Sequence, residues 1–161
     1  MNKTILRSLL IMAAMLAALL SGCTHNNGDI GSKFGSWKQT AMTIDGEPNP
    51  DYRGNIFWGF QHGSLTFTYM FYDHGIPVNP PTGEPRLVFT SWSEEDGYII
   101  IDTDFSDDQG TFRYTPPEVL LLPAQTAGIR LKILSESSRE MRLEYVTADG
   151  KRVVYTLSKW G

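Results

Sequence analysis

Apolar and polar side chains alternate along most of the chain after its first 33 residues. The clearest apolar positions, each two residues from the next, are Leu65, Phe67, Tyr69 and Phe71, then Met141, Leu143 and Tyr145, then Val153, Tyr155 and Leu157. Because successive side chains of a strand point to opposite faces, a period of two predicts half-buried strands. The predicted strands cover residues 34–44, 55–61, 64–72, 86–92, 97–104, 111–115, 129–135, 140–146 and 152–160. After the first segment, no window of a dozen residues keeps an amphipathic helical stripe, so we expect little helix.

Turn-forming residues separate these runs. The dipeptides are Asp45-Gly46, His62-Gly63, Asp96-Gly97, Gln109-Gly110 and Asp149-Gly150. Each places glycine where a tight turn needs a positive φ. Two segments interrupt the pattern. Residues 75–85 hold too many prolines for a sheet interior and predict a long loop, and residues 115–128 carry four apolar residues between prolines, which suit an edge strand or a short plug.

This order of short strands and tight turns indicates an all-β fold. We expect an antiparallel up-and-down meander that closes into a barrel of about eight strands. Closure removes the exposed strand edges that an open meander leaves. The alternative is a β-sandwich, in which two sheets pack face to face.

Composition narrows the classes of function. The chain has 161 residues with one cysteine and a net charge of −4, which fits one domain. A single cysteine excludes an intrachain disulfide and a cysteine-based zinc site. The net negative charge argues against nucleic acid as a partner, because nucleic acid is bound mainly by clustered Lys and Arg.

The first residues have the composition of a secretory signal rather than of a folded element. Lys3 and Arg7 precede an uncharged apolar run over residues 9–20, which is shorter than the roughly 20 residues that a membrane-spanning helix needs. A basic head, an apolar core of this length and small residues after it are typical of a signal peptide.

The segment ends in Leu20, Ser21, Gly22 and Cys23, which resembles the lipobox of bacterial lipoproteins. The resemblance implies cleavage before Cys23 and acylation of this residue, so that acyl chains hold the protein at a membrane. Residues 1–22 are then a signal peptide, residues 23–33 a lipidated flexible tether and residues 34–161 the folded domain. Without Lys3 and Arg7 the mature charge is 12 − 18 = −6. We expect a cell-envelope location, at the outer membrane and facing the periplasm.

A second resemblance begins at the first predicted strand. Gly35 and Trp37 form a Gly-x-Trp sequence that resembles the first-strand signature of lipocalins, and the whole mature chain resembles the lipocalin-like lipoproteins of Bacteroidota. In lipocalins this Trp closes one end of the barrel, under a basic residue from the last strand. Lys159 matches that basic residue best and Arg152 less well. The Thr-Asp-Tyr motif and the C-terminal helix of typical lipocalins are absent from the sequence.

Residues that favour catalysis or metal binding are sparse. His25, His62 and His74 are scattered, and His74 with Asp73 lacks an evident third ligand. The acidic run at residues 102–108 departs from EF-hand spacing and is interpreted as a solvated turn at a strand end. A Gly-x-Ser-x-Gly elbow is absent, and Asp102, Asp104 and Glu144 lie on predicted strands without the spacing of a glycosidase pair. We therefore expect no enzyme, no cofactor and no metal.

Aromatic residues on the predicted strands suggest a binding role. A closed barrel of about eight strands is just wide enough to be filled or to hold one small ligand. We expect non-covalent binding of a small apolar or amphipathic ligand in the barrel. The predicted wall residues are Trp58, Phe67, Tyr69, Trp92 and Tyr114. The alternative is a structural or protein-interaction module of an envelope complex, with a filled core and the proline-rich loop at residues 75–85 meeting a partner.

Overall fold

Strands form most of the regular structure in the computed structural model, which describes residues 31–69, 71–73, 76–78, 87–104 and 116–161. They are β1 (Gly35–Ile44), β2 (Glu47–Pro48), β3 (Ile56–Gln61), β4 (Ser64–Tyr69), β5 (Phe71–Asp73), β6 (Ile76–Val78), β7 (Leu87–Glu95), β8 (Tyr98–Asp102), β9 (Ile129–Glu136), β10 (Glu140–Val146) and β11 (Arg152–Lys159). Two 3₁₀ turns accompany them, at Gly31–Lys33 and Glu118–Leu120.

The strands close into a barrel. Neighbours along the sheet are β1, β3, β4, β7, β8, β9, β10 and β11, and β11 pairs back with β1. The closing ladder is antiparallel and runs from the pair Trp37 and Lys159 to the pair Ile44 and Val153, with one irregularity between Gln39 and Ala41. The eight-stranded closed meander predicted from the alternation is therefore confirmed, and the sandwich alternative is wrong.

Outside the barrel ladder lie three short strands. β2 pairs with the end of β1, and β5 and β6 form a separate two-stranded ribbon. The predicted strand 64–72 thus ends at Tyr69, and the predicted loop 75–85 contains a strand at Ile76–Val78. Pro77 is tolerated there because a two-stranded ribbon leaves one edge of each strand without a partner, where a missing N–H costs nothing. The predicted strand 111–115 lies outside the described residues.

Buried side chains alternate along the barrel strands as the sequence pattern requires. Ile56, Trp58 and Phe60 of β3 face inward, as do Tyr155 and Leu157 of β11, and all five are fully buried. Strand twist and closure bring these inner faces together as one core.

The barrel has two different ends. One end carries the tight β3–β4, β7–β8 and β9–β10 turns and the Gly31–Lys33 turn, and we call it the sealed end. The other end carries the longer connections after β1, β4 and β8 and the β10–β11 turn, and we call it the mouth. At the β1–β2 turn, Asp45 and Gly46 have φ of 52° and 90°. Two successive positive φ values define the turn type that matches strand twist, which explains the Asp-Gly signal.

Candidate ligand-binding site

The sealed end is closed by Trp37. Its indole is fully buried, and its Nε1 donates a hydrogen bond to the carbonyl of Lys33 at 2.8 Å. The Lys159 Nζ lies 4.5 Å from the centroid of the Trp37 ring and donates to the carbonyls of Ser32 and Phe34. Burial lowers the pKa of Lys159. The last strand therefore fastens the start of the domain over the end of the barrel.

Gly35 makes this arrangement sterically possible. Its φ of 109° lies in the region that side chains rarely adopt. A Cβ at this position would also lie 3.4 Å from the Lys159 Nζ. The glycine of the Gly-x-Trp sequence is thus required by its backbone conformation, whereas the lysine end would meet a Cβ only at van der Waals distance.

Lys33 adds an ion-pair cluster beside Trp37. Its side chain is 7% exposed, and its Nζ lies 2.5 Å from a Glu136 oxygen and 2.9 Å from a Glu94 oxygen. Burial alone would lower the pKa of Lys33, but the hydrogen bonds and charges of the two glutamates outweigh it and raise the pKa. Lys33 belongs to the segment that the sequence assigns to the tether, and in the structure it is part of the folded domain.

The middle of the barrel is filled by aromatic rings. Trp58 lies edge-on to Phe67 with ring centroids 4.8 Å apart and packs against Tyr155 at 5.3 Å. Such contacts stabilise a core beyond the area that they bury. Trp58 and Phe67, two of the predicted wall residues, are therefore placed inside a packed core rather than on an open surface.

Gln39 is a polar residue in this core. Its side-chain oxygen accepts from Trp58 Nε1 at 2.8 Å, and its backbone carbonyl accepts from the Tyr52 hydroxyl at 2.5 Å. Among the described residues, Gln39 Nε2 is a buried nitrogen without a hydrogen-bond partner. Exchanging the oxygen and nitrogen would set two N–H groups against each other, so the Trp58 contact fixes the amide orientation.

The other predicted wall residues are in different places. Trp92 is half-buried at the sealed end, where it lies 5.0 Å from Phe60 and its Nε1 donates to the Gln61 carbonyl. Tyr69 ends β4 on the mouth side, and the structure describes its backbone pairing with Ile56. Tyr114 lies outside the described residues. The structure brings Trp58 and Phe67 together and places Trp92 at the sealed end.

A short segment packs into the mouth. Leu120, at the end of the Glu118–Leu120 turn, is fully buried, and its carbonyl accepts from the buried Tyr155 hydroxyl at 2.5 Å. Of the two structures that suited the four apolar residues, the plug is found and the edge strand is not. Leu121 follows with a φ of 58°, a conformation that is uncommon for a large side chain.

Two residues at the end of β8 attach this segment to the barrel. The Thr103 hydroxyl donates to the Pro123 carbonyl at 2.7 Å and accepts from the Thr126 N–H. Asp102 accepts from the Gly128 N–H at 2.6 Å and from the Ser91 hydroxyl at 3.1 Å. Asp102 thus ends β8 as a structural acceptor, whereas Asp104, which the predicted strand 97–104 included, lies beyond the end of β8 and is exposed. The rest of the acidic run lies outside the described residues.

The segment forms one wall of a hollow of about 420 Å³ at the mouth. Leu121, Leu122, Pro123 and Tyr145 line its apolar side, and Thr147, Ala148, Asp149 and Lys151 line its rim. Leu122 is 7% exposed and Leu121 is 38% exposed. Burial raises the pKa of the Tyr145 phenol, so its hydroxyl is neutral at pH 7 and able to donate. The volume falls within the range of small-molecule sites, although the hollow is open to solvent. A second hollow of about 430 Å³ lies on the outer wall beside Leu134, Arg142 and Glu144.

The charges on the rim neutralise each other. Lys151 Nζ lies 2.8 Å from an Asp149 oxygen. The hydrogen bonds from Lys151 and Thr147 lower the pKa of Asp149 to about 2.

The hollow was not predicted from the sequence because its residues come from two distant segments. The apolar run at residues 119–122 is the signal that pointed to one of these segments.

The remaining candidate residues do not converge. Arg152, the weaker match for the basic cover, instead pairs with Glu144 on the outer wall, with 2.5 Å between the guanidinium and the carboxylate. His62 is exposed in the β3–β4 turn, and His25 and His74 lie outside the described residues. In the part of the chain that the structure describes, no three His, Cys, Asp or Glu residues cluster as metal ligands. The same part has no helix of the length and apolarity needed to cross a membrane.

Comparisons with known proteins add likenesses of fold. No protein-family model matches the chain, and no curated protein matches it. A crystal structure of a lipocalin-like protein from Bacteroides uniformis is 18% identical with a TM-score of 0.48, covering 81% of this chain and 100% of that one. An uncharacterized protein from Bacteroides eggerthii is 19% identical with a TM-score of 0.45, covering 77% of this chain and 98% of that one.

Bovine odorant-binding protein, solved with its natural ligand, is 13% identical with a TM-score of 0.40 and covers 86% of this chain and 77% of that one. At these levels of identity the three likenesses concern the fold alone.

Proposed function

We propose that this protein is a lipid-anchored binding protein of a bacterial cell envelope. Its barrel takes up a small apolar or amphipathic ligand non-covalently at the mouth, in the hollow beside Leu122 and Tyr145. The proposal includes no catalytic step and no cofactor. Burial of apolar surface, at about 25 cal/mol per Å², supplies the affinity, and the rim supplies polar contacts for the ligand's head.

The observation that carries the proposal is the difference between the two ends of the barrel. The sealed end is fastened by Lys159 and Lys33 over Trp37, whereas the mouth holds an open hollow of about 420 Å³ with one apolar side. Because packed rings fill the middle of the barrel, the proposed floor of the site is at Leu122 and Tyr145, closer to the mouth than the predicted wall residues Trp58 and Phe67.

Lipid anchoring and location rest on the sequence. The lipobox resemblance at residues 20–23 supports acylation of Cys23. In enterobacterial lipoproteins an Asp after the acylated cysteine retains the protein at the inner membrane; here Thr24 stands at that position, which supports an outer-membrane location that faces the periplasm. The mature charge of −6, which is 12 − 18, opposes adsorption to anionic headgroups. Attachment therefore depends on the acyl chains.

Binding of the apolar dye Nile red to the full chain tests the ligand site. Leu121→Glu replaces part of the apolar side of the hollow by a carboxylate and should weaken binding by about tenfold, roughly 1.4 kcal/mol, because the ligand either loses this apolar contact or partly desolvates the charge. Decanol should displace the dye from the unmodified chain.

A second leucine provides a matched control. Leu134 has the same exposed fraction as Leu121, 38%, but lies on the outer wall in a separate hollow with Arg142 and Glu144, so it also tests whether the dye binds there instead of at the mouth. Leu134→Glu should therefore bind the dye as the unmodified chain does. Equal binding by both variants, or no binding by the unmodified chain, would overturn the proposed site.

A protein-interaction module is the second candidate, and the packed aromatic core favours it. Trp58, Phe60 and Phe67 fill the interior that a deep ligand cavity would need. If the protein is an interaction module, the folded chain should bind neither Nile red nor decanol, and a protein should co-purify with it from its own envelope.

A further inference from the structure

The outer wall carries an aromatic patch in which Trp160, next to the sealed-end terminus of β11, is exposed while Phe57 and Lys38 are half-buried. We call Phe57, Trp160 and Lys38 the aromatic patch. Trp160 is 57% exposed, its ring lies edge-on to Phe57 at 5.3 Å, and the Lys38 Nζ lies 5.6 Å from its centroid. The backbone N–H of Trp160 donates to the Ser36 carbonyl at 2.9 Å. This hydrogen bond continues the β1–β11 ladder by one residue and fixes the backbone that carries the Trp160 ring.

The patch lies where the chain enters the domain. Ser36 is one residue before Trp37, and the Gly31–Lys33 turn that begins the described domain is at the same end. Phe34, at this end as well, is 42% exposed. From Cys23 to Gly31 there are 31 − 23 = 8 residues, which reach at most about 28 Å when fully extended. A membrane anchor at Cys23 therefore keeps this end within about 28 Å of the bilayer.

The chemistry of the patch fits the headgroup region of a bilayer. Trp is enriched at membrane–water interfaces, where one part of the ring is apolar and the N–H is hydrated. Lys extends an apolar stem along such a surface while its ammonium stays in water. An exposed, fixed Trp beside Phe and Lys has both properties. The hollow at the mouth is at the opposite end of the barrel.

We propose that the aromatic patch seats on the headgroup region of the same bilayer that holds the Cys23 acyl chains, so that the mouth faces away from that bilayer. This inference rests on the proposed anchoring. A ligand would then enter and leave the hollow from the aqueous compartment, or from a partner in it, and not from the lipids around the anchor.

Quenching of tryptophan fluorescence tests the seat. The full lipidated chain is reconstituted in phosphatidylcholine vesicles with and without brominated acyl chains, and mass spectrometry verifies acylation of Cys23. The comparison is made in a Trp92→Phe background, which removes the half-buried tryptophan of the sealed end. We expect emission to be quenched by the brominated lipid, and Trp160→Phe to lose most of this quenching, because the remaining Trp37 and Trp58 are fully buried. Val146→Ser, at the mouth end and with a similar exposed fraction of 53%, should leave the quenching unchanged.

The outcomes separate the two proposals. If Cys23 is acylated but no quenching occurs, or if Trp160→Phe leaves the quenching intact, the proposed contact between the aromatic patch and the bilayer is wrong. Either result is compatible with the lipid anchor at Cys23. A mature chain without an acyl group on Cys23 would overturn both. Loss of quenching in Val146→Ser would place the mouth, rather than the patch, against the lipid and would also overturn the seat.

Discussion

Lys33→Met is the most informative single change at the sealed end. Methionine keeps the length and most of the apolar stem of lysine but removes the ammonium. The change separates the ion pairs with Glu136 and Glu94 from the packing of the stem. The hydrogen bond from Trp37 to the Lys33 carbonyl involves the backbone and remains.

The expected loss follows from the exposure of the three groups. Removing one partner of a fully buried ion pair costs about 3–5 kcal/mol, because the remaining charge is left without a partner. Here Lys33 is 7% exposed, but the glutamate side chains are 21% and 44% exposed, so water can hydrate both carboxylates after the change. We therefore expect the free energy of unfolding to fall by about 2 kcal/mol at pH 7.

The pH dependence gives a second, independent test. Burial alone would raise the pKa of Glu136, but hydrogen bonds from Lys33 and Ser32 outweigh it and lower the pKa. A lowered folded pKa contributes stability above the unfolded value of about 4.3, and this contribution is lost as the pH falls through the folded pKa. The pKa of Lys33 is raised, so its contribution is complete below about pH 10 and lost as the pH rises through the folded pKa. The difference between the two proteins should be constant between about pH 6 and 9 and shrink below about pH 4.

Urea denaturation followed by tryptophan fluorescence, at pH 7 and at pH 3, measures the difference in the free energy of unfolding between Lys33→Met and the unmodified chain. Lys132→Met, on an exposed lysine of the outer wall, is the control and should change stability by less than about 0.5 kcal/mol. A Lys33→Met loss no larger than that of the control, or a loss that is equal at pH 7 and pH 3, would refute the ion-pair argument.

Three further changes test other parts of the structure. Tyr155→Phe leaves a carbonyl of the mouth segment without its buried donor and should cost about 1–3 kcal/mol in urea denaturation; an unchanged stability would contradict this hydrogen bond. In an NMR titration the carboxyl of Asp149 should have a pKa of about 2, and Lys151→Met should raise it toward 3.8; a pKa that does not respond would show that the pair does not form in solution. Gly59→Ala places a Cβ in steric conflict with the Thr66 Oγ1 and should cost about 1–3 kcal/mol, most of which a Gly59→Ala/Thr66→Ala double variant should recover. Equal losses in the single and double variants would rule out that clash.

The local pattern predicts the strands and their inner faces because both depend on neighbouring residues. Trp58 and Phe60 alternate with Phe57 and Gly59 in the sequence, and the first two are buried in the structure. Closure is a different matter. The need to remove strand edges predicts that the meander closes, but it does not say which residues pair. The pairing of Trp37 with Lys159 joins residues at opposite ends of the domain, and only the Gly-x-Trp resemblance pointed to this particular pair.

The features that the sequence did not predict depend on contacts between distant segments. Asp102 reads locally as part of a solvated acidic run, but the Gly128 N–H, 26 residues away, binds it. Lys33 reads as part of a tether, but its partner Glu136 is 103 residues away. The apolar run at residues 119–122 fits a strand or a plug, and the hydrogen bond from Tyr155, 35 residues away, decides for the plug. No local period of apolar residues carries this information.

The central claim is that the mouth, and not the packed middle of the barrel, receives an apolar ligand. Titration of the full chain with decanol, followed by amide NMR shifts, tests it most directly. The shifts should concentrate at residues 121–123 and 145–151, which line the hollow, and saturate at a finite concentration. Shifts confined to the sealed end around Trp37, or none at a saturating amount of decanol, would contradict the account.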